Sequence, residues 1–215
     1  GRPLPNPRRE VRRRDRPKIR RARLVRSVQR MPLPPDWDAA KVAEEFGIPQ
    51  QTTDYPEVLR DPAVSAVCVC TDHASHIPIT EAALDAGKHV LCEKALGSSR
   101  DGLATMLAAH ERHPELVFCG VFQHRFDAVY RQLKQLIDDG TLGTVLTAGV
   151  QVRCKRTNEY YQSGGWRGTW DGEGGAVLIN QAIHFIDVLN WIMGGVTAVC
   201  GGYANLTHQI GRAHV

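Results

Sequence analysis

Hydrophobic and polar positions change rhythm along the chain, and each change marks an element. Ala39–Phe46 is helical in composition, with Gly47 placed to end it. Tyr55–Leu59 reads as a short helix before Asp61-Pro62. Ala63–Cys70 is a nearly continuous run of small apolar residues, the pattern of a strand buried on both faces of a parallel sheet. Ile77–Ala86 predicts a helix closed by Gly87, and His89–Cys92 the next short strand. Ser99 can cap a helix in which Leu103, Met106, Leu107 and His110 recur at helical spacing, and Leu116–Phe122 predicts a third strand. This alternation predicts a doubly wound parallel sheet.

The second half has a different pattern. Asp127–Asp139 predicts an amphipathic helix carrying Val129, Leu133, Leu136 and Ile137, ended by Gly140. Val145–Arg153 alternates like a strand with one wet face. A loop rich in Gly and Trp runs from Asn158 to Gly175, a long helix from Val177 to Met193, and Thr197–Tyr203 predicts another strand. The expectation is an α+β unit on a mostly antiparallel sheet, cut short because two strands do not make a stable sheet.

Composition sharpens this picture. With 215 residues, 42% of them hydrophobic, the chain can bury a real core, which excludes a disordered polymer or a disulfide mini-protein. No apolar run approaches the roughly 18 residues a membrane span needs, and the first thirty residues are too charged for a signal peptide. A cytoplasmic protein is expected. Cys68, Cys70, Cys92, Cys119, Cys154 and Cys200 show no framework spacing and read as reduced thiols.

The net charge of +4 averages two unlike segments. Residues 1–30 carry twelve Arg and one Lys against Glu10 and Asp15, a net +11, and the other 185 residues carry −7. Three readings compete for this basic head, assigned to residues 1–38. A nucleic-acid arm fits the charge but has no aromatic residue for base stacking. A solvated tail is the plainer reading. Out-of-frame translation of GC-rich DNA, which yields Arg and Pro together, is the favoured one, so no nucleic-acid partner is expected. Residues 210–215, Ile-Gly-Arg-Ala-His-Val, read as a translated sequencing adapter.

Candidate chemistry concentrates at three places. Glu93-Lys94 follows a buried strand, at the carboxyl edge where open α/β sheets bind ligands. A partly desolvated lysine there can pass protons to and from a hydroxyl, whereas a surface ion pair is the bland alternative. Asn180, His184 and Asp187 fall at i, i+4 and i+7 and share a helix face, placing a histidine between an amide and a carboxylate. A hydrogen-bonded helix histidine is the alternative there. Cys68-x-Cys70-x-x-His73-x-x-His76 matches no usual zinc spacing, and its cysteines are expected to be buried, so no metal is expected. Trp166 and Trp170 suggest a pocket lip.

Thr71-Asp-His-Ala-Ser-His76, Ala86-Gly-Lys-His-Val-Leu-Cys-Glu-Lys94, Phe122-Gln-His-Arg-Phe-Asp127, Trp166-Arg-Gly-Thr-Trp170 and the segment from Gly174 through Asn180 and His184 to Asp187, in that order, resemble the Gfo/Idh/MocA oxidoreductases over about residues 39–208. The resemblance implies an α/β fold: an incomplete Rossmann-type parallel-sheet domain over residues 39–122 and a truncated α+β domain with a mostly antiparallel sheet over 123–209. It implies hydride transfer between NAD or NADP and a sugar, polyol or nucleotide-sugar hydroxyl. Lys94 and His184 take the places of the family's catalytic lysine and histidine, with Asn180 where many members have Asp. Thr71, His73, His76, Glu93 and Gln123 match the cofactor side, with Trp166 and Arg167. Tyr160, Tyr161 and Asp187 are assigned to the substrate. A full-length parent is expected to be a homo-oligomer.

Three departures stand out. Ala95 replaces the family's usual proline, which suggests an altered Lys94 backbone. Asn180 cannot act as an anion or base. No glycine occurs between Gly1 and Gly47, so no glycine-rich phosphate loop exists there. These departures keep a second reading open, a non-catalytic nucleotide- or sugar-sensing protein on the same fold.

Overall fold

The computed structural model describes residues 39–202 and Ala204. The basic head, residues 1–38, and the adapter-like residues 210–215 lie outside them. Two short helices, α1 (Ala39–Glu45) and α2 (Tyr55–Arg60), precede strand β1 (Ala66–Val69). Helix α3 (His73–Asp85), strand β2 (His89–Cys92), helix α4 (Arg100–Arg112) and strand β3 (Phe118–Gly120) complete a parallel sheet in the order β1-β2-β3. Val67 lies opposite Val90, and Val90 opposite Phe118.

Helix α3 begins four residues earlier than the apolar pattern predicts. Asp72 caps it, accepting from the Ser75 N–H at 3.0 Å, so the start is set by a side-chain acceptor rather than by the first apolar residue. Ser99 caps α4 as expected, accepting from Gly102 N–H at 3.1 Å. Both helices cover one face of the sheet. Val69, Val90, Cys92, Ile79, Ala83, Leu84, Met106 and Ala109 form the core between them.

The other face differs from expectation. Cys68, Leu91 and Cys119 occupy one row across the three strands, and all three are exposed. β1 is therefore buried on one face, and Cys68, with Cys70 just past the strand, is exposed rather than a core thiol. Small apolar residues suit either a two-faced or a one-faced strand, because their own surface is too small to decide the matter.

Beyond β3, a 3₁₀ turn (Gln123–Phe126) leads into α5 (Ala128–Asp138), then α6 (Asn158–Gln162), and a π turn (Leu178–Ala182) runs directly into α7 (Ile183–Met193). The predicted antiparallel sheet is not found among the described residues. Residues 145–153 and 197–202 form no ladder among the described residues, and Leu146 and Val199 are more than four-fifths exposed. A strand exists only by ladder bonds to a partner, so alternation alone does not create one. Helix α5 likewise leaves Val129 and Leu133 exposed. No helix of the described residues is long and apolar enough to cross a membrane.

The core assignment is testable. Leu84→Ala removes a fully buried side chain and lowers unfolding stability by about 2–5 kcal/mol in urea titrations. Leu133→Ala, on the exposed face of α5, changes it by less than about 1 kcal/mol.

Candidate active site

The site is assembled from the carboxyl edge of the sheet, the loop at 164–176 and the π turn. Gly174 makes the loop's close approach possible. It adopts φ +79°, and a Cβ on it would lie 2.3 Å from the Ser98 carbonyl oxygen. Only glycine fits that conformation and that contact. The loop is also sewn to α3, since Ala74 N–H donates to the Gly172 carbonyl at 3.2 Å and His73 Nδ1 to the Glu173 carbonyl at 2.8 Å.

Glu173 is fully buried at the centre of this loop. Its carboxylate accepts from Gly168 N–H at 2.5 Å and from the Asn180 side-chain amide. Burial pushes its pKa up, and these two hydrogen bonds with the charges of Arg167 and Lys94 oppose that shift. Asn180 also donates to the Tyr160 hydroxyl at 3.3 Å, so its amide nitrogen is committed and its Oδ1 faces Lys94. Lys94 Nζ donates to Asn180 Oδ1 at 2.5 Å and to the Asn180 carbonyl at 3.0 Å. Burial lowers the lysine's pKa, and the charges of Glu93 and Glu173 partly restore it.

The π turn holds Asn180 and delivers its carbonyl to Lys94. The expected single α-helical face of Asn180, His184 and Asp187 is therefore modified, because a wider turn rotates Asn180 relative to α7. His184 Nδ1 is buried without a hydrogen-bond partner, and its ring stands edge-on to His124 at 5.4 Å. Burial, then Lys94 and His124, lower its pKa. Lys94, Asn180, His184 and Tyr160 line one cavity of about 560 Å³, together with Arg153 and Arg156.

Other expected residues lie elsewhere. Asp187 grips Arg125 in a bidentate ion pair at 2.6 and 2.7 Å, and its charge acts to raise the His184 pKa. Tyr161 is 5% exposed and packs with Ala176 and Tyr160, a core position rather than a cavity wall. His73 and His76 are buried and brace the sheet edge: His73 Nδ1 faces the Glu173 carbonyl, and the two ring nitrogens of His76 face the carbonyls of Ala95 and Thr71. Thr71 is half-buried beside them, and Gln123 is exposed beyond β3. Glu93 receives the Lys94 backbone N–H at 3.1 Å. Trp166 packs against His73, and Arg167 lies over both Trp166 and Tyr160 while donating to the Tyr160 hydroxyl at 3.0 Å. The Lys94–Ala95 peptide is cis, although no proline is present. Among the described residues no metal cluster of His, Cys, Asp and Glu forms.

Glu173 and Arg153 belong to the site although no motif in the sequence marks them. A lone carboxylate between glycines, Gly172-Glu173-Gly174, was the available signal for Glu173. Nothing in the spacing marks Arg153 as cavity-lining.

The buried histidine at the loop junction has a pH signature. Burial pushes His73 down to about 4 from an unfolded value of 6.5. Its contribution to stability is therefore complete above pH 6.5 and is lost as pH falls toward 4, where the unfolded chain binds the extra proton. His73→Asn removes that proton, so urea midpoints of the variant fall less steeply than those of the parent across this window.

Two family comparisons span most of the chain. Residues 34–121 match an oxidoreductase family with an NAD-binding Rossmann fold, and residues 130–214 match the GFO/IDH/MocA C-terminal domain. The 1,5-anhydro-D-fructose reductase of Ensifer adhaerens is 34% identical over 156 residues, 72% of this chain and 45% of that protein. The myo-inositol 2-dehydrogenase of Thermotoga maritima is 28% identical over 177 residues, 80% of this chain and 50% of that one. The WlbA dehydrogenase of Bordetella pertussis, solved with NADH and UDP-GlcNAcA, superposes with a TM-score of 0.65 at 26% identity, over 71% of this chain and 43% of that one. The chain spans about half the length, or less, of the curated relatives it matches. With both halves of one family pattern present in order, on a parallel sheet whose edge carries Lys94 beside Asn180, this chain belongs to the GFO/IDH/MocA oxidoreductase family.

Proposed function

We propose that this chain belongs to an NAD(P)-dependent dehydrogenase acting on a hydroxyl of a sugar, polyol or nucleotide sugar. The observation that carries the reading is the convergence of Lys94, Asn180 and His184 on one cavity at the carboxyl edge of a parallel sheet. The relatives named above are dehydrogenases and reductases, which supports an enzyme rather than a sensor.

The nicotinamide end of a cofactor site fits this edge. Lys94 is half-buried there, His184 Nδ1 lacks a partner, and Glu93 and Thr71 flank the strand ends. NAD or NADP, when bound, supplies the hydride acceptor or donor. Thr71, Glu93, Trp166 and Arg167 are the residues we assign to its side of the site.

Lys94 holds the substrate hydroxyl and takes its proton. Its lowered pKa makes the neutral amine more accessible than in a solvated lysine. Asn180 fixes the amine by accepting from it, and cannot itself take the proton. His184, kept neutral by burial, is the second proton acceptor facing the cavity. Tyr160 provides a hydroxyl that collects donors from Arg167, Asn180 and Gln181 and so shapes the cavity wall. A homo-oligomeric, cytoplasmic parent remains part of the proposal.

Steady-state kinetics test the assignment in the full-length protein that carries this segment. Lys94→Ala lowers kcat for alcohol oxidation by about 10²–10⁴ while cofactor affinity holds. His184→Ala has a similar effect, and the double variant costs far less than the product of the two. Wild-type turnover by Lys94→Ala would overturn the catalytic reading.

A further inference from the structure

The cavity beside Lys94 carries an excess of positive charge that transfer of a proton and a hydride does not require. Eleven residues line it, among them Lys94, Arg153 and Arg156, and none is acidic. Neither arginine is paired with a carboxylate among the described residues. The nearby acids are engaged elsewhere: Glu93 accepts the Lys94 backbone N–H, and Glu173 is enclosed behind Asn180 and Gly168.

Arg156 is the more organised of the two cations. Its guanidinium lies over the Tyr160 ring at 5.1 Å, and one Nη donates to the Lys155 carbonyl at 3.2 Å. Its Nε is buried and has no hydrogen-bond partner. A buried donor left without an acceptor costs free energy, and a planar fork held on an aromatic face is pre-oriented for a two-oxygen anion. Arg153 is exposed on the same wall and adds a second charge. A neutral polyol offers these groups only hydroxyls, whereas a carboxylate or phosphate offers charge-assisted bonds.

We propose that the substrate of this site is an anionic carbohydrate, a sugar acid or a sugar phosphate, whose charged group is held by Arg156 with help from Arg153 while its hydroxyl faces Lys94. This rests on the dehydrogenase reading for the hydroxyl's position, but the anion contact is a binding property and is tested without turnover.

The experiment is equilibrium binding to the whole 215-residue chain, followed by tryptophan fluorescence and calorimetry. D-glucuronate, D-glucose 1-phosphate and neutral D-glucose are the probes. The expected result is that one or both anions bind at least about tenfold more tightly than glucose, and that added salt erodes the difference. Preference for glucuronate assigns a carboxylate, and preference for glucose 1-phosphate a phosphate. Arg156→Gln removes most of the preference, and Arg156→Lys, which keeps the charge and loses the fork, restores part of it. Circular dichroism of both variants checks that they fold.

Equal binding of glucose and the anions, binding of none of them, or an unchanged preference in Arg156→Gln overturns the proposal. So does displacement of the bound anion by ADP-ribose, which would give the arginines to the cofactor. Failure of Lys94→Ala to slow turnover, with anion preference intact, would instead strike the dehydrogenase assignment alone.

Discussion

A single buried carboxylate organises the second half of this protein. Glu173 sits enclosed in a glycine-rich loop, and its oxygens find two donors, Gly168 N–H and the Asn180 amide. A buried charge without such partners is strongly unfavourable, so the loop closes around it and the π turn is drawn toward it. The same residue's carbonyl receives His73 at the start of α3. Loop, sheet edge and π turn are thereby held together through one residue. Asn180 suits this position chemically, because an amide donates to Glu173 with one end and accepts from Lys94 with the other. An aspartate at 180 would set a carboxylate against the Glu173 carboxylate, and the pair would need to share a proton.

Burial then sets the protonation of the whole edge. Desolvation lowers Lys94, His73, His76 and His184 together and raises Glu173, each shift acting against the charged form. Cation repulsion adds to this, since Arg167 and Arg156 both push Lys94 down. The two histidines nearest the sheet spend this neutrality on structure, bonding to backbone carbonyls. His184 keeps an unpartnered nitrogen and faces the cavity. The histidines thus serve different ends: His73 and His76 are buried against backbone carbonyls, whereas His184 is half-buried with an unpartnered nitrogen.

Periodicity and punctuation in the sequence determined the local elements. β2 and the capped helix α4 fall where Ser99 and the apolar spacing put them, and the parallel order follows from helices alternating with strands. The ordered motifs around Lys94 and His184 also identified the family, because chemistry placed at strand ends and helix starts leaves a linear trace. Tertiary structure decided everything that depends on a partner distant in sequence. It left 145–153 without a ladder, gave Asp187 to Arg125 sixty-two residues away, enclosed Tyr161, exposed Cys68, and turned Glu173 inward. Alternation and helical spacing describe which residues share a face, but burial and pairing are set by what lies against that face, and no local pattern encodes it.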